Sequence, residues 1–536
     1  MVADAGPPSD VRTRETGAVE APPTELPGER RQAWGSWDLI TMMVLFLAAI
    51  AIRRPGYMLQ HPFWLDEAWV ADSLRAPLRS LPHITSSSPL GFTLLLRLVP
   101  PIGGPERIRI VPLLFGAAVA PLGYVLGRTL DPDSRWRAIV LGVAGVLLPA
   151  TLRHDLKQYT ADAFCALLLV VLVARLEVRW SPRRLAALAS VACVAPILSH
   201  TSILVSMPAM GLLVLVLLAR RRHREAAWTA AAAALSAVAF GAMYLFVDSA
   251  ARTPQLVRYW EAYYVPTGRG RAAALDFVVA RWDVFVSGVG FGWRIVAMAL
   301  LVLGCVVLAR FHLHALAALL PVLLVESIVV ATMRLYPLWD ERTSTYLVSL
   351  ATMVAVIGLT YGTELLPRRV DRRVATPIAV LASILVIGLT ARTAADRWAS
   401  PLVDEDTRGA AAYVAAHRQP GDVVLVDLPA GYGFAFYWPD AQPGFVSSSI
   451  NAVGFVPRFD RAAGIEVRTG IGLTGLDSDV ERAARLAAGH TLWIVVSHTS
   501  QRVVDAYLAA GDRVGTTRVV NDELIAVDVP PTPVGH

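Results

Sequence analysis

Two carboxylates, Asp66 and Glu67, stand side by side in HPFWLDEAWVAD (61–72), framed by Phe63, Trp64 and Trp69 and just beyond the first long apolar run of the chain. Comparable polar groups fall at the ends of later apolar runs. RHDLKQY supplies Arg153, His154, Asp155, Lys157, Gln158 and Tyr159, with Asp162 one turn further on. RLYPLWDER supplies Arg334, Tyr336, Asp340, Glu341 and Arg342, and Glu326 lies eight residues before it. Polar groups at membrane depth are costly, so each is a candidate for function. A carboxylate near the interface, partly shielded by tryptophan, can take a proton from an incoming hydroxyl. Cations beside it can hold a phosphate that departs as negative charge develops on it. The arginine fork fits phosphate oxygens, and a lysine adds a point charge. Together these groups describe transfer from a membrane-anchored phosphate donor to an acceptor.

Lys157 is singled out by composition, because it is the only lysine among 49 basic residues. A lone lysine reads as a place that needs a compact ammonium rather than a planar fork. A coding bias toward arginine is the alternative.

The elements that must position these groups are membrane helices. The 536 residues are 55% hydrophobic and 17% charged, with a mean hydropathy of +0.51. That composition predicts an all-α polytopic membrane protein. Spans are expected near 36–53, 107–128, 137–152, 159–175, 184–199, 201–219, 225–247, 292–309, 315–333, 344–361 and 375–392, eleven in all. Residues 1–33, rich in Pro, Glu and Ala, read as a disordered cytoplasmic tail, and the first apolar run as a span rather than a cleavable signal. Arginine-rich loops at 128–137, 175–184, 220–224, 310 and 367–373 fall on one side, which the positive-inside rule makes cytoplasmic. The basic balance is therefore topological, and no nucleic-acid partner is expected. SPLGFTLLLRLVPPIGG (88–104) reads as an interfacial or re-entrant helix. Cys165, Cys193 and Cys305 lie within apolar runs and read as packing residues.

Four segments then meet extracytoplasmic water: 54–106, 154–159, a long loop at 248–291, and 334–344. The tail over 393–536 is the fifth outer element, and the transmembrane domain covers 34–392. GDVVLVDLP and HTLWIVVSHTS read as buried strands, and 406–418 and 501–510 as helices, predicting a small α/β domain. GYGFAFYWPD (431–440) suggests a strand and turn, or an aromatic carbohydrate platform.

WLDEAW after the first span, SPLGF, R-x-VPLLFG opening the next span, KQYTADAF and YPLWDERTSTYL follow one another in an order that resembles the GT-C class of integral-membrane glycosyltransferases. Within that class the chain is similar to the protein mannosyltransferases and the lipid A aminoarabinose transferases, and the resemblance covers roughly 36–392. It implies a polyprenyl-phosphate sugar as donor and a plasma-membrane location. It also implies an extracytoplasmic glycan, lipid or protein as acceptor. By the same resemblance Asp66, with Glu67 beside it, is the catalytic base of an inverting transfer. Lys157 and Arg153 hold the donor phosphate, Arg334 or Arg342 gives a second clamp, and Tyr159 hydrogen-bonds the donor. SSSPLGF lacks the lysine of the lipid A transferases, which leaves the sugar open. Oligosaccharyltransferases of this class need a divalent metal. Here His61, Asp66, Glu67, His154 and Asp155 have suitable donor atoms, yet their spacing matches no dedicated metal motif.

Blander readings stand beside these. Asp66 and Glu67 suit a helix N-terminus, Asp162 can extend a polar helix face, Glu326 can pair with an arginine, and His200 can be a turn residue. His312 and His314 fall on the cytoplasmic side. A transporter or flippase of lipid-linked sugars is the rival function, although no internal repeat is apparent. A glycan-binding domain on a mere anchor fits poorly with eleven spans.

Overall fold

The computed structural model describes residues 34–84, 88–100, 102–153, 155–290, 294–365, 372–399, 405–439, 444–447 and 454–531. The tail expected to be disordered (1–33) and His154 lie outside them. In chain order the helices of eight or more residues are α1 (Ser36–Ile52), α2 (Leu65–Ser73), α3 (Leu90–Arg97), α4 (Ile110–Leu130), α5 (Arg135–Val146) and α6 (Tyr159–Val178). They continue with α7 (Pro182–Leu198), α8 (Ser202–Ala219), α9 (His223–Phe246), α10 (Arg271–Val289), α11 (Arg294–Arg310) and α12 (His314–Thr332). The last six are α13 (Thr345–Tyr361), α14 (Arg372–Ala399), α15 (Thr407–His417), α16 (Leu428–Tyr437), α17 (Leu476–Leu486) and α18 (Gln501–Val514).

Eleven of these, α1, α4 to α9 and α11 to α14, coincide one for one with the expected spans. By length and composition five helices among the described residues can cross a membrane, or six if α10 and α11 make one broken span. The apolar core of the bundle is built mainly from α4 to α8 and α10 to α13. The three cysteines are free, with Cys165 buried.

One long helix of the bundle was not anticipated, and in the tail neither was α17. The stretch assigned to a long loop contains α10, whose Arg271, Asp276, Arg281 and Asp283 keep it from reading as a span. It buries only Phe285, Val286 and Val289, and Trp282 and Phe285 pack against Trp339.

The strands are β1 (Val423–Val426), β2 (Gly444–Ser447), β3 (Phe455–Arg458), β4 (Ile465–Val467), β5 (Thr491–Val495), β6 (Thr516–Asn521) and β7 (Leu524–Asp528). Five form a sheet in the order β4-β1-β5-β7-β6, and β2 and β3 pair separately. The pairs β4–β1 and β1–β5 are parallel, whereas β5–β7 and β7–β6 are antiparallel. VVLV, and TLWIV after its first residue, are apolar because helices cover both faces of the sheet. Val423, Leu425, Leu492 and Ile494 face α17 and α18. Val424, Val426, Trp493 and Val495 face α15 and α16. Both predicted strands and both predicted helices of this tail are present.

The segment GYGFAFYW is neither strand and turn nor an open platform. It lies in α16, and every residue from Gly431 to Phe436 is buried. The glycines that suggested a turn instead permit close packing: a Cβ on Gly433 would lie 2.1 Å from Thr407 Oγ1 at the start of α15. Phe434 packs toward the sheet, while Tyr432 and Phe436 join a second cluster with Phe63, Trp69 and Phe92. The sheet domain is thereby joined to α2.

Small residues also set a close helix contact within the bundle. A Cβ on Gly304 of α11 would lie 2.0 Å from the Val354 carbonyl oxygen of α13, and Gly358 returns the contact at 2.7 Å from the Gly304 nitrogen. Such glycines let two backbones approach in an apolar solvent. Gly304→Val is expected to cost about 1–3 kcal/mol through overpacking. A lower midpoint of thermal unfolding in detergent checks this, and an unchanged midpoint would refute the contact.

Candidate active site

Trp64 has extended backbone and precedes α2, so both carboxylates fall in the first turn of that helix. Successive helical residues point about 100° apart, and the two acids meet different surroundings.

Glu67 is fully buried. Its Oε1 accepts a hydrogen bond from Arg109 Nε at 2.7 Å and another from the Leu156 amide at 2.6 Å. Its Oε2 accepts from the other arm of Arg109. Arg109 also donates to the carbonyls of Met58, His61 and Pro62 and lies over the Phe63 ring. The pair is sealed, which gives Glu67 the position of a scaffold rather than that of a group open to substrate.

Asp66 is partly exposed, and its Oδ2 accepts from Arg342 Nη1 at 2.9 Å. Arg342 reaches Tyr259 Oη with Nη2 at 3.4 Å. Burial works against the charge of Arg342, but Tyr159 and Asp66 outweigh it and hold the guanidinium firmly protonated. Asp340 accepts from the Arg342 and Thr343 amides and so shapes this loop.

Lys157 lies below this pair in the turn before α6. Its side chain is buried, and its Nζ sits 3.7 Å from the centre of the Trp69 ring. No carboxylate lies within salt-bridge distance of it among the described residues. Burial lowers its pKa to about 8, against the opposing pull of Asp66. Arg153 and Tyr159 are close by, but Arg153 is committed: its Nε and Nη2 both reach Asp155, at 2.9–3.1 Å. Burial alone would raise the Asp155 carboxyl, yet Arg153 holds it below the usual carboxylate range.

The structure thus brings together Asp66, Lys157, Arg153, Asp155, Tyr159 and Arg342. Arg334 stands apart. It is exposed, pairs with Glu261, and lines a cavity of about 820 Å³ with Arg258, Arg269 and Tyr259, the last of which also meets Arg342. Of the two late-loop arginines, Arg342 is the one beside Asp66. Asp162 turns to Ser199 and Thr201 rather than simply extending the face of α6. His200 pairs with Asp248 at 3.3 Å, and Glu326 makes no ion pair among the described residues.

Of the candidate metal ligands, His154 lies outside the described residues. Asp66, Glu67 and Asp155 are each engaged by an arginine, and His61 turns to its own loop, with Nδ1 3.1 Å from the Pro62 carbonyl. No group of three or more His, Cys, Asp or Glu suited to a metal occurs among the described residues.

Three residues at the site were missed from the sequence. Arg109 stood in the R-x-VPLLFG signature without a role. Glu405 and His498 come from the tail domain. Glu405 accepts from the Leu65 amide at 2.9 Å and meets His498 Nδ1 at 2.6 Å, so it caps the helix that bears Asp66. No spacing links residues 340 positions apart. Tyr437 ties the same region, its hydroxyl accepting from the Phe63 amide and donating to Glu106.

No protein-family model matches this sequence, and neither does any curated protein. Solved structures do resemble it. AglB, the oligosaccharyltransferase of Archaeoglobus fulgidus, solved with an inhibitory peptide and a dolichol-phosphate, matches with a TM-score of 0.53. The identity is 11%, over 92% of this chain and 75% of that one. ArnT from Cupriavidus metallidurans in the apo state matches with a TM-score of 0.52 and 12% identity, over 92% of this chain and 97% of that one.

Two outcomes are expected from this geometry. Glu67→Gln weakens a buried ion pair and should destabilise the fold by about 3–5 kcal/mol, whereas Asp66→Asn should leave the unfolding midpoint close to wild type; thermal unfolding of both variants checks the contrast. Because Lys157 is the sole lysine, its acylation by an amine reagent can be followed by mass spectrometry. Half-maximal reactivity is expected near pH 8, with the ammonium protected below and the free amine reacting above. A midpoint near the ordinary 10.5 would contradict its burial without a counter-charge.

Proposed function

We propose that this chain, whose fold is that of the GT-C membrane glycosyltransferases, moves a sugar from a polyprenyl-phosphate donor to an acceptor hydroxyl. The acceptor is an envelope glycan, lipid or protein, and the face bearing the sheet domain is extracytoplasmic. The observation that carries this reading is the stacking of charges at one opening. Partly exposed Asp66 and Arg342 lie near a buried Lys157 that has no carboxylate within salt-bridge distance among the described residues. A buried cation without a counter-charge is unfavourable until an anion arrives. Phosphate on a lipid carrier supplies that anion at headgroup depth, and an oligosaccharyltransferase of like fold was solved with dolichol-phosphate.

In the proposed reaction the acceptor hydroxyl gives its proton to an Asp66 carboxylate oxygen, while its own oxygen attacks the anomeric carbon. The bond from that carbon to the phosphate oxygen breaks on the opposite face, inverting configuration. The electron pair stays with the departing polyprenyl phosphate, where Lys157 and Arg342 offset the growing charge. Arg342 shares its donors between Asp66 and the phosphate, which frees a carboxylate oxygen to act as base. Tyr159 supports the donor side. Arg153 shapes the turn through Asp155, and Glu67 holds the backbone on which Asp66 and Lys157 meet. The tryptophans line the site from within, Trp69 under the Lys157 ammonium and Trp64 beside His498.

The test uses purified protein in lipid vesicles, offered radiolabelled polyprenyl-phosphate sugars together with an envelope extract as acceptor, with and without EDTA. Release of polyprenyl phosphate is expected from one donor. Asp66→Asn is expected to lower it by roughly 10²–10⁴-fold, the usual contribution of a general base. Lys157→Ala should lower it about tenfold or more, since a charged contact is worth about 1.5–3 kcal/mol. Activity that survives EDTA agrees with arginine-paired carboxylates. Exchange of the donor between leaflets with no release would instead make the protein a flippase.

A further inference from the structure

The tail domain does more than brace α2, for it brings an imidazole to the mouth of the site. His498 follows β5 in left-handed backbone, with φ +52°, a conformation that non-glycine residues seldom adopt and that clusters at functional positions. Its Nδ1 is fixed by Glu405 at 2.6 Å, and the other Glu405 oxygen holds the Leu65 amide, one residue before Asp66. Its ring lies 5.7 Å from that of Trp64. Asp66 and Arg342 are near enough to act on its charge. Nε2 has no hydrogen-bond partner among the described residues, and 40% of the side chain is exposed.

Exposure divides the site by depth. Lys157 is 4% exposed, Asp66 and Arg342 are 25% and 24%, and His498 is the most open of the four. The deep cation serves the donor phosphate, so the open rim is where an acceptor enters. We propose that His498 is an acceptor-positioning residue, its Nε2 hydrogen-bonding the acceptor hydroxyl group or a neighbouring one so that the nucleophilic oxygen faces Asp66. This rests on the transfer reaction proposed above. Glu405 fixes the ring and the start of α2 together, which sets the distance between the acceptor contact and the base.

Two amide substitutions separate the roles of the ring nitrogens. His498→Asn tolerates left-handed backbone and keeps a nitrogen near the place of Nδ1, facing Glu405, while removing Nε2. His498→Gln reaches the place of Nε2 and gives up the contact with Glu405. Each is assayed in vesicles at saturating radiolabelled donor, with an envelope extract from cells lacking this protein titrated in as acceptor. His498→Asn is expected to raise the half-saturating extract concentration roughly tenfold, the worth of one hydrogen bond involving a charged group. Maximal rate and donor half-saturation should stay within about threefold, and His498→Gln should recover part of the loss. Unchanged acceptor half-saturation in His498→Asn would overturn the proposal. So would a loss confined to maximal rate or donor half-saturation, or one that follows a fallen unfolding midpoint, since these mark a brace. Absence of donor turnover by the wild type would instead overturn the transfer reaction itself, and this inference with it.

Discussion

The ion pair between Glu67 and Arg109 is the contact on which the site's geometry depends. One carboxylate receives both arms of the guanidinium and the Leu156 amide, and the guanidinium gathers three carbonyls of the loop before α2. The start of α2, the entry to α4 and the turn that carries Lys157 are therefore fixed to a single buried point. Neither partner would be tolerated alone in that setting, because a buried charge without its mate is far costlier than the pair. Asp66 and Lys157 come from segments 91 positions apart in sequence, yet each is only a residue away from this junction.

Neighbouring acids receive opposite fates for a plain geometric reason. The turn of the helix sends Glu67 into the protein and Asp66 toward the opening, so one stabilises the frame and the other is left to meet Arg342. The same division separates Arg153 from Lys157. The fork is consumed by Asp155, while the compact ammonium lies over the face of Trp69. The solitary lysine of the sequence occupies a buried position with no carboxylate at salt-bridge distance among the described residues.

Much of this was legible in the residues. Apolar runs gave the helices, and arginine placement gathered the polar turns on one face. Short continuous apolar runs identified VVLV and TLWIV as buried strands. The carboxylate pair, Lys157 and Arg342 stood out by type. What escaped reading depended on distant contacts. GYGFAFYW carries glycines, whose local preference is for turns, but tertiary packing on Thr407 and α2 made it a helix. The charged α10 fell below any hydropathy signal for a span. Glu405 and His498 act on Asp66 only because the sheet domain folds back across the bundle, and local sequence holds no trace of that return. Arg334 and Arg342 look alike in sequence, and only the course of the loop decides which one meets Asp66.

The return of the tail has a consequence for biosynthesis. Phe63 is bound by Tyr437 and Leu65 by Glu405, contacts spanning 374 and 340 positions. Such non-local closures are slow and come late, since they wait for the intervening chain, and synthesis proceeds from the N-terminus at a few residues per second. The helix that bears Asp66 is therefore among the first elements made and among the last to be fastened. A chain released before the sheet domain is complete leaves that helix without its cap and its aromatic cover. Assembly of the site thus reports that translation has run through to the end of the sheet.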